Sequence, residues 1–204
     1  MAEDGPIIEV PHDDPERAYT DDEKRELTLR LVTIQRRVNA ALIERPPSVP
    51  VLEQLHRELF IGIRGHAGRT RSPSFGSERL TFGPHRSARN TDVPSALGKA
   101  FLGFEEARRG LLGVPEGAER ALLALTAALR LHAEIIRVHP FEDGNGRTSR
   151  LLCDHALVQF GYRPVPLEVP KQEYLDVLNH YFQTQSISEL VDLALRLAAE
   201  DPGA

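Results

Sequence analysis

Cysteine is almost missing from this chain: Cys153 is the single one in 204 residues. A lone thiol cannot close an internal disulfide, so no disulfide framework is expected, and its apolar helical surroundings assign it to the core as a small hydrophobe. Long hydrophobic runs are missing too. The longest nearly apolar stretch, Ala121 to Leu129, falls far short of the about 20 residues needed to cross a bilayer. The opening MAEDGPIIEV has neither the positive region nor the apolar stretch of a secretory signal. The expectation is a cytoplasmic protein without a membrane partner, export as an effector by another route being the alternative. Glycine and proline, 15 of each, are too few for a low-complexity chain, and there is no internal repeat. Positive charge is not in excess either: the formal net charge of −5 argues against a surface built for nucleic acid.

What is present describes a globular protein, 41% hydrophobic and 27% charged, long enough for one domain with its own core. Residues 1–19, with Pro6, Pro11 and Pro15, read as a loosely held leader, and residues 20–204 as the domain. Thr20 followed by Glu23 has the form of a capping box, and Leu27, Leu31, Ile34, Val38 and Leu42 recur at helical spacing behind it. Further helices are expected over about 51–63, 94–110, 115–138, 146–160, 171–183 and 188–199. In the fourth of these seven, Leu122, Leu125, Leu129, His132 and Ile136 form one stripe, which makes His132 a hydrogen-bonded core residue. Gly161 fits a helix C′ position, with Pro164 beyond it. His155 and His180 lack partners at metal-ligand spacing and read as structural. The fold class is all-α with one small hairpin.

The hairpin belongs to a local exception in charge. Between Ile63 and Asn90 stand Arg64, Arg69, Arg71, Arg79, Arg86 and Arg89 against Glu78 alone. This stretch has no helical period, and its flanks GRTRS and RLTF, with Gly76 between them, are expected to form the two arms, Pro73 restricting them to an edge.

Chemistry concentrates in VHPFEDGNGRTSRLL, residues 138–152. DGNG lacks large side chains, so its backbone can approach a ligand closely, and the helix behind it offers unpaired N–H groups and a positive dipole end. Arg147 and Arg150, three apart, lie on neighbouring positions of one helix face and suit a polyphosphate. Asp143 is a hard oxygen ligand suited to Mg²⁺, and His139 is a candidate proton acceptor. Spacing alone leaves three readings open: a phosphate-transfer site, a simple anion site, or a charged helix-capping loop.

HPFEDGNGRTSR, His139 to Arg150, resembles the signature of the Fic family, His-x-Phe-x-Asp/Glu-Gly-Asn-Gly/Lys-Arg-x-x-Arg, at every defined position, and the likeness extends over about residues 52–197. The resemblance implies a helical Fic fold with a hairpin flap and a protein adenylyltransferase that moves AMP from ATP to a Tyr, Thr or Ser hydroxyl of a target. By the same resemblance His139 is the general base, Asp143 binds Mg²⁺, and Gly144, Asn145 and Gly146 form the anion hole, Asn145 also offering its side-chain amide to the α-phosphate. Arg147 and Arg150 hold the β- and γ-phosphates, and Phe141 anchors the loop. Gly146 stands where Doc-like kinases have Lys, which favours nucleotide transfer. Tyr174 and Leu175 fall where the family's base pocket is expected.

The self-inhibitory Ser/Thr-x-x-x-Glu-Gly/Asn helix of restrained members is not found: Glu116 is preceded at that spacing by Leu112, and SFGSER (Ser74 to Arg79) ends in Arg. The resemblance therefore implies a toxin or effector with a separate antitoxin-like inhibitor. The flap, about 68–84, would dock the target protein by strand addition. The alternatives are transfer of another nucleotide such as UMP, or a catalytically silent binding module on this fold. A nucleic-acid-binding role for the basic stretch has only Phe75 and Phe82 for stacking and is set aside.

Overall fold

In the computed structural model, residues 18–82, 84–167 and 170–200 are described; the rest of the expected leader lies outside them. Among the described residues there are seven helices, α1 (Asp21–Asn39), α2 (Val49–Phe60), α3 (Val93–Leu111), α4 (Ala118–Val138), α5 (Asn145–Gln159), α6 (Lys171–Thr184) and α7 (Ser188–Glu200), and two strands, β1 (Thr81–Phe82) and β2 (His85–Arg86).

The caps read from sequence set the first helix in place. Thr20 accepts from the Glu23 N–H at 3.2 Å while Glu23 accepts from the Thr20 N–H at 2.8 Å, so two end donors are satisfied reciprocally. Gly161, at φ +85°, follows the C-terminus of α5. α4 sits at the centre, packed by α3 and α5 and touched by α6 and α7, while α5 is packed on its other side by α1 and α2. Ala124, Ala127, Ala128 and Ala133 are buried on α4, small enough to let its neighbours close in.

Two details of the stripes differ from the sequence reading. Leu122, in the second turn of α4, is 45% exposed, and Leu42 is 65% exposed, beyond the end of α1. The hairpin also differs. Its paired arms are β1 and β2, with Thr81 opposite Arg86 and Phe82 opposite His85. GRTRS is not an arm: Ser72 and Phe75 bridge each other in a tight turn across Pro73. Proline has no N–H for a ladder, so the segment closes on itself rather than extending. No helix of the described residues is long and apolar enough to cross a membrane.

Candidate active site

The six residues between α4 and α5, 139–144, carry the chemistry, and both helices hold them from below. His139 caps α4 in the left-handed region (φ 53°, ψ 62°), a conformation a β-carbon-bearing residue keeps only when its surroundings impose it. Three contacts impose it here. The His139 N–H donates to the Ile135 carbonyl at 2.9 Å; its ring stacks on Phe82 of β1 at 4.3 Å and 11°; and its carbonyl accepts from both Nε (3.0 Å) and Nη2 (2.7 Å) of Arg71. The ring's Nδ1 lies 3.2 Å from the Ile136 carbonyl, which can only accept, so Nδ1 carries the proton and Nε2 keeps its lone pair. Burial, with Arg71 nearby, lowers the imidazole to about 4, so it is neutral at physiological pH.

Phe141 is fully buried and stacks on His56 of α2 (3.8 Å, 9°). His56 is itself a brace. Its Nδ1 accepts from the Gly68 N–H at 2.8 Å, which leaves Nε2–H to donate to the Asp143 carbonyl at 3.0 Å. Glu142 turns the other way, taking the Ser77 N–H and, at 3.0 Å, the Ser77 hydroxyl, and so ties the loop to the segment before β1. A β-carbon at Gly76 would run into this carboxylate.

Asn145 is only 2% exposed, and both ends of its amide hold the loop: Nδ2 donates to the Phe141 carbonyl at 2.8 Å and Oδ1 accepts from the Phe141 N–H at 2.9 Å. The expectation that this amide faces a phosphate is thus corrected. An amide between two backbone groups it satisfies completely would lose both by turning outward, so only the backbone N–H of Asn145 is available to a ligand. The first bond of α5 runs from the Thr148 N–H to the Gly144 carbonyl (3.0 Å), so the N–H groups before it have no partner within the helix. Gly144 is required twice over, by φ +76° and by the Phe60 ring, which a β-carbon would strike. Gly146 is different: a β-carbon there would meet nothing nearer than Arg150 Nη1 at 3.9 Å, so what its absence keeps open is the face toward the cleft.

The cleft has a volume of about 290 Å³ and is lined by His139, Glu142, Asp143, Gly144, Asn145, Gly146, Arg147 and Arg150. It gathers the seven polar and glycine residues read from the motif, His139, Asp143, Gly144, Asn145, Gly146, Arg147 and Arg150, and not Tyr174 or Leu175. Of two larger cavities, that of about 620 Å³ between α3 and α4 lies away from this chemistry, whereas that of about 420 Å³ is lined by Arg147 and Arg150 together with residues of α1 and of the segment after α5. Arg147 spans the Phe60 ring at 4.8 Å, and Arg150 lies 5.9 Å from the ring of Tyr174. The Tyr174 hydroxyl meets His132 Nε2 at 2.6 Å, so Tyr174 supports Arg150 and His132 is a hydrogen-bonded core residue. Leu175 lines a neighbouring pocket of about 220 Å³ with Phe82, Pro84, Ile136, Leu178 and Phe182. His155 bonds the Arg45 carbonyl (2.8 Å) and His180 pairs with Glu189 (3.3 Å), both outside the cleft. Glu78 of SFGSER lies 3.9 Å from Arg89.

One neighbour of the cleft gave no sign in the sequence. Tyr19, the residue before the cap of α1, donates its hydroxyl to Asp143 Oδ2 and accepts from Arg147 Nη2 at 3.2 Å, while Arg64 lies over its ring at 4.0 Å. Burial pushes the Asp143 carboxyl up, but the Tyr19 hydroxyl, the Gly144 N–H (2.5 Å), Arg147 (3.5 Å) and Arg64 (4.0 Å) together bring it below the usual carboxylate range. Asp143 is therefore ionised. A single ionised carboxylate beside a phosphate site fits Mg²⁺, which takes one or two carboxylates and completes its shell with phosphate oxygens and water; no group of three or more His, Cys, Asp or Glu gathers among the described residues as a cage.

A neutral imidazole with an unprotonated Nε2, a helix start with open N–H groups, two arginines and the ionised Asp143 form a cleft whose chemistry suits phosphate groups. The sequence profile of the Fic/DOC family matches residues 46–157, and the chain belongs to that family. It is 29% identical over 164 residues to "Protein adenylyltransferase Fic" of Culex quinquefasciatus, covering 78% of this chain and 30% of that protein. For the protein of the same name from Drosophila persimilis the figures are 30% over 137 residues, 67% and 24%. The chain thus spans less than a third of the length of these curated relatives. Among solved structures, BepC, a VirB-translocated effector of Bartonella tribocorum with bound AMPPNP, superposes with a TM-score of 0.67 at 16% identity, covering 87% of this chain and 86% of that one. A Fic-domain signalling protein of Bacteroides thetaiotaomicron gives 0.64 at 21% identity, over 90% and 70%. These likenesses establish the Fic fold, mostly helical with a small hairpin.

Proposed function

We propose that the protein is a Mg²⁺-dependent protein adenylyltransferase that moves AMP from ATP to a hydroxyl of another protein. One observation carries this reading: His139, with its proton on Nδ1 and Nε2 unprotonated, lines the same cleft as Asp143, Arg147, Arg150 and the start of α5. The curated relatives named as adenylyltransferases support it.

His139 Nε2 accepts the proton of the target hydroxyl as its oxygen bonds to the α-phosphorus. The bond from that phosphorus to the bridging oxygen breaks, and pyrophosphate leaves. The backbone N–H groups of Asn145 and Gly146 receive the charge on the α-phosphate, and Arg147 and Arg150 hold the departing phosphates. When bound at Asp143, Mg²⁺ neutralises phosphate charge. The pocket holding Leu175 is assigned to the base, since Phe82 forms its wall and stacks on His139. The target segment is assigned to the β1–β2 hairpin, whose short strands offer an edge beside His139. Inhibition is assigned to a separate antitoxin-like protein, and the biological role to a toxin or effector.

The test is intact-mass spectrometry of the protein and of host lysate incubated with Mg²⁺ and each of ATP, UTP, GTP and CTP, beside His139→Ala. An addition of one AMP that needs His139 is expected. An adduct from UTP alone reassigns the nucleotide, and no adduct from any of the four leaves a silent binding module.

A further inference from the structure

Arg71 lies in the basic stretch whose charge seemed destined for a surface, yet it is 0% exposed. A buried guanidinium normally faces a carboxylate. This one instead donates to backbone carbonyls: Nη1 to Ser77 (3.0 Å) and Glu78 (3.3 Å), Nη2 to Ala88 (3.0 Å), Val138 (3.3 Å) and His139 (2.7 Å), and Nε to His139 (3.0 Å). Its own N–H donates to the Pro140 carbonyl at 2.7 Å. The acceptors belong to three places: the segment entering β1, the segment leaving β2, and the end of α4. All are partial negative charges, and among the described residues Arg71 is the one side chain bonded to all three places.

We propose that Arg71 is a positioning residue for the transfer: it fixes the left-handed cap at His139 and locks both ends of the β1–β2 hairpin to it, so that the base and the docked hydroxyl meet at one geometry. The proposal rests on the adenylyltransferase reading for its chemical consequence, though not for the structural clamp. The logic is one of donor count and shape. Five carbonyls converge on a planar fork with five N–H donors, and a rounder cation such as lysine, with three donors, cannot satisfy them. Without the bidentate bond, the His139 carbonyl loses the two hydrogen bonds that fix it at a positive φ, and the chain relaxes toward ordinary helical values. The ring then leaves the Ile136 carbonyl and Phe82, losing the tautomer that keeps Nε2 free. Arg147, Arg150 and Asp143 hold the phosphates from a loop braced separately by His56 and Asn145, so the phosphate seat is untouched and only the Phe82 wall of the base pocket can shift.

The experiment compares the full chain with Arg71→Lys and Arg71→Met. Three quantities are read: the rate of label transfer from α-labelled ATP into host lysate, the Kd of Mg·AMPPNP by calorimetry, and the His139 tautomer by long-range ¹H–¹⁵N spectra. The expectation is a rate about 100-fold lower, the effect of an ångström-scale misplacement, with a Kd within about threefold and a mixed tautomer. An unchanged rate overturns the proposal, as does a parallel loss of rate and affinity with the Nδ1–H tautomer retained, which marks a scaffold residue only. Should Arg71→Met fail to fold, Arg71→Lys, which keeps the charge, decides alone. If the unmodified protein labels nothing, the adenylyltransferase reading fails, and the tautomer still decides for or against the clamp.

Discussion

The segments 63–90 and 138–150 carry similar cargoes of arginine and glycine and use them in opposite ways. In the later segment the arginines and Gly146 face a cleft, with side chains left partly unengaged for a ligand. In the earlier one Arg71 is buried and bonded to backbone, and a β-carbon at Gly76 would be crowded by Glu142 and Arg71. Composition alone would give both segments the same role; burial separates them. Charge that waits for a ligand has to be held by something, and here the holder is more charge, fully satisfied by backbone.

The comparison can be broken most severely at the loop's anchor. Phe141→Ala empties a fully buried site and is expected to lower the unfolding free energy by about 3–5 kcal/mol in urea titration, where Arg150→Ala leaves it unchanged. On the ligand side the order reverses. Arg147→Ala or Arg150→Ala is expected to raise the Kd of Mg·AMPPNP by about 10- to 100-fold, the loss of a charge-assisted contact, without moving the melting temperature.

Acid offers a second route. His56, His132 and His139 are each lowered to about 4 by burial, from 6.5 in the unfolded chain. Their neutral forms therefore contribute stability that is whole above pH 6.5 and is lost as pH falls toward 4, because there the unfolded chain binds protons that the folded one refuses. The melting temperature should decline across that window, and His56→Phe should flatten the decline; an equal slope in both would remove His56 from the brace. A finer contrast lies in the two glycines. Gly144→Ala, strained by φ and by Phe60, is expected to cost more than about 1 kcal/mol, whereas Gly146→Ala in a helix start stabilises by a few tenths or about 1 kcal/mol yet weakens nucleotide binding. The smallest effect expected is from Tyr19→Phe. Removing the hydroxyl that bonds Asp143 should tighten Mg·AMPPNP by about three- to tenfold, one hydrogen bond's worth, in calorimetry.

Much of this was legible. All seven helices follow from apolar period, caps and breakers, and the cleft residues lie within twelve consecutive positions, so proximity in sequence already placed them together. The parts that escaped are the supports. Arg71, His56 and Tyr19 reach the loop across 68, 87 and 124 positions. Nothing local distinguishes Arg64 and Arg71, which are buried, from the four other arginines of segment 63–90, which are exposed. The capping box at Thr20 fixed where α1 begins, yet not which way the residue before it points. Asn145 misled for a related reason: an amide beside a phosphate seat has two uses, and the orientation that chooses between them depends on Phe141 being buried underneath.

Tyr19 couples the first turn of α1 to the cleft, and this gives the molecule a built-in reporter. A cation at Asp143 and the Tyr19 phenol compete for one oxygen, so filling the cleft frees the phenol from Asp143 and from its place under Arg64. The chain has no tryptophan and only four tyrosines, so the near-ultraviolet emission is tyrosine's alone. A carboxylate bonded to a phenol quenches it. Occupancy by magnesium and nucleotide should therefore brighten the protein, and the increment should vanish in Tyr19→Phe, giving a label-free gauge of the seat before any target has been found.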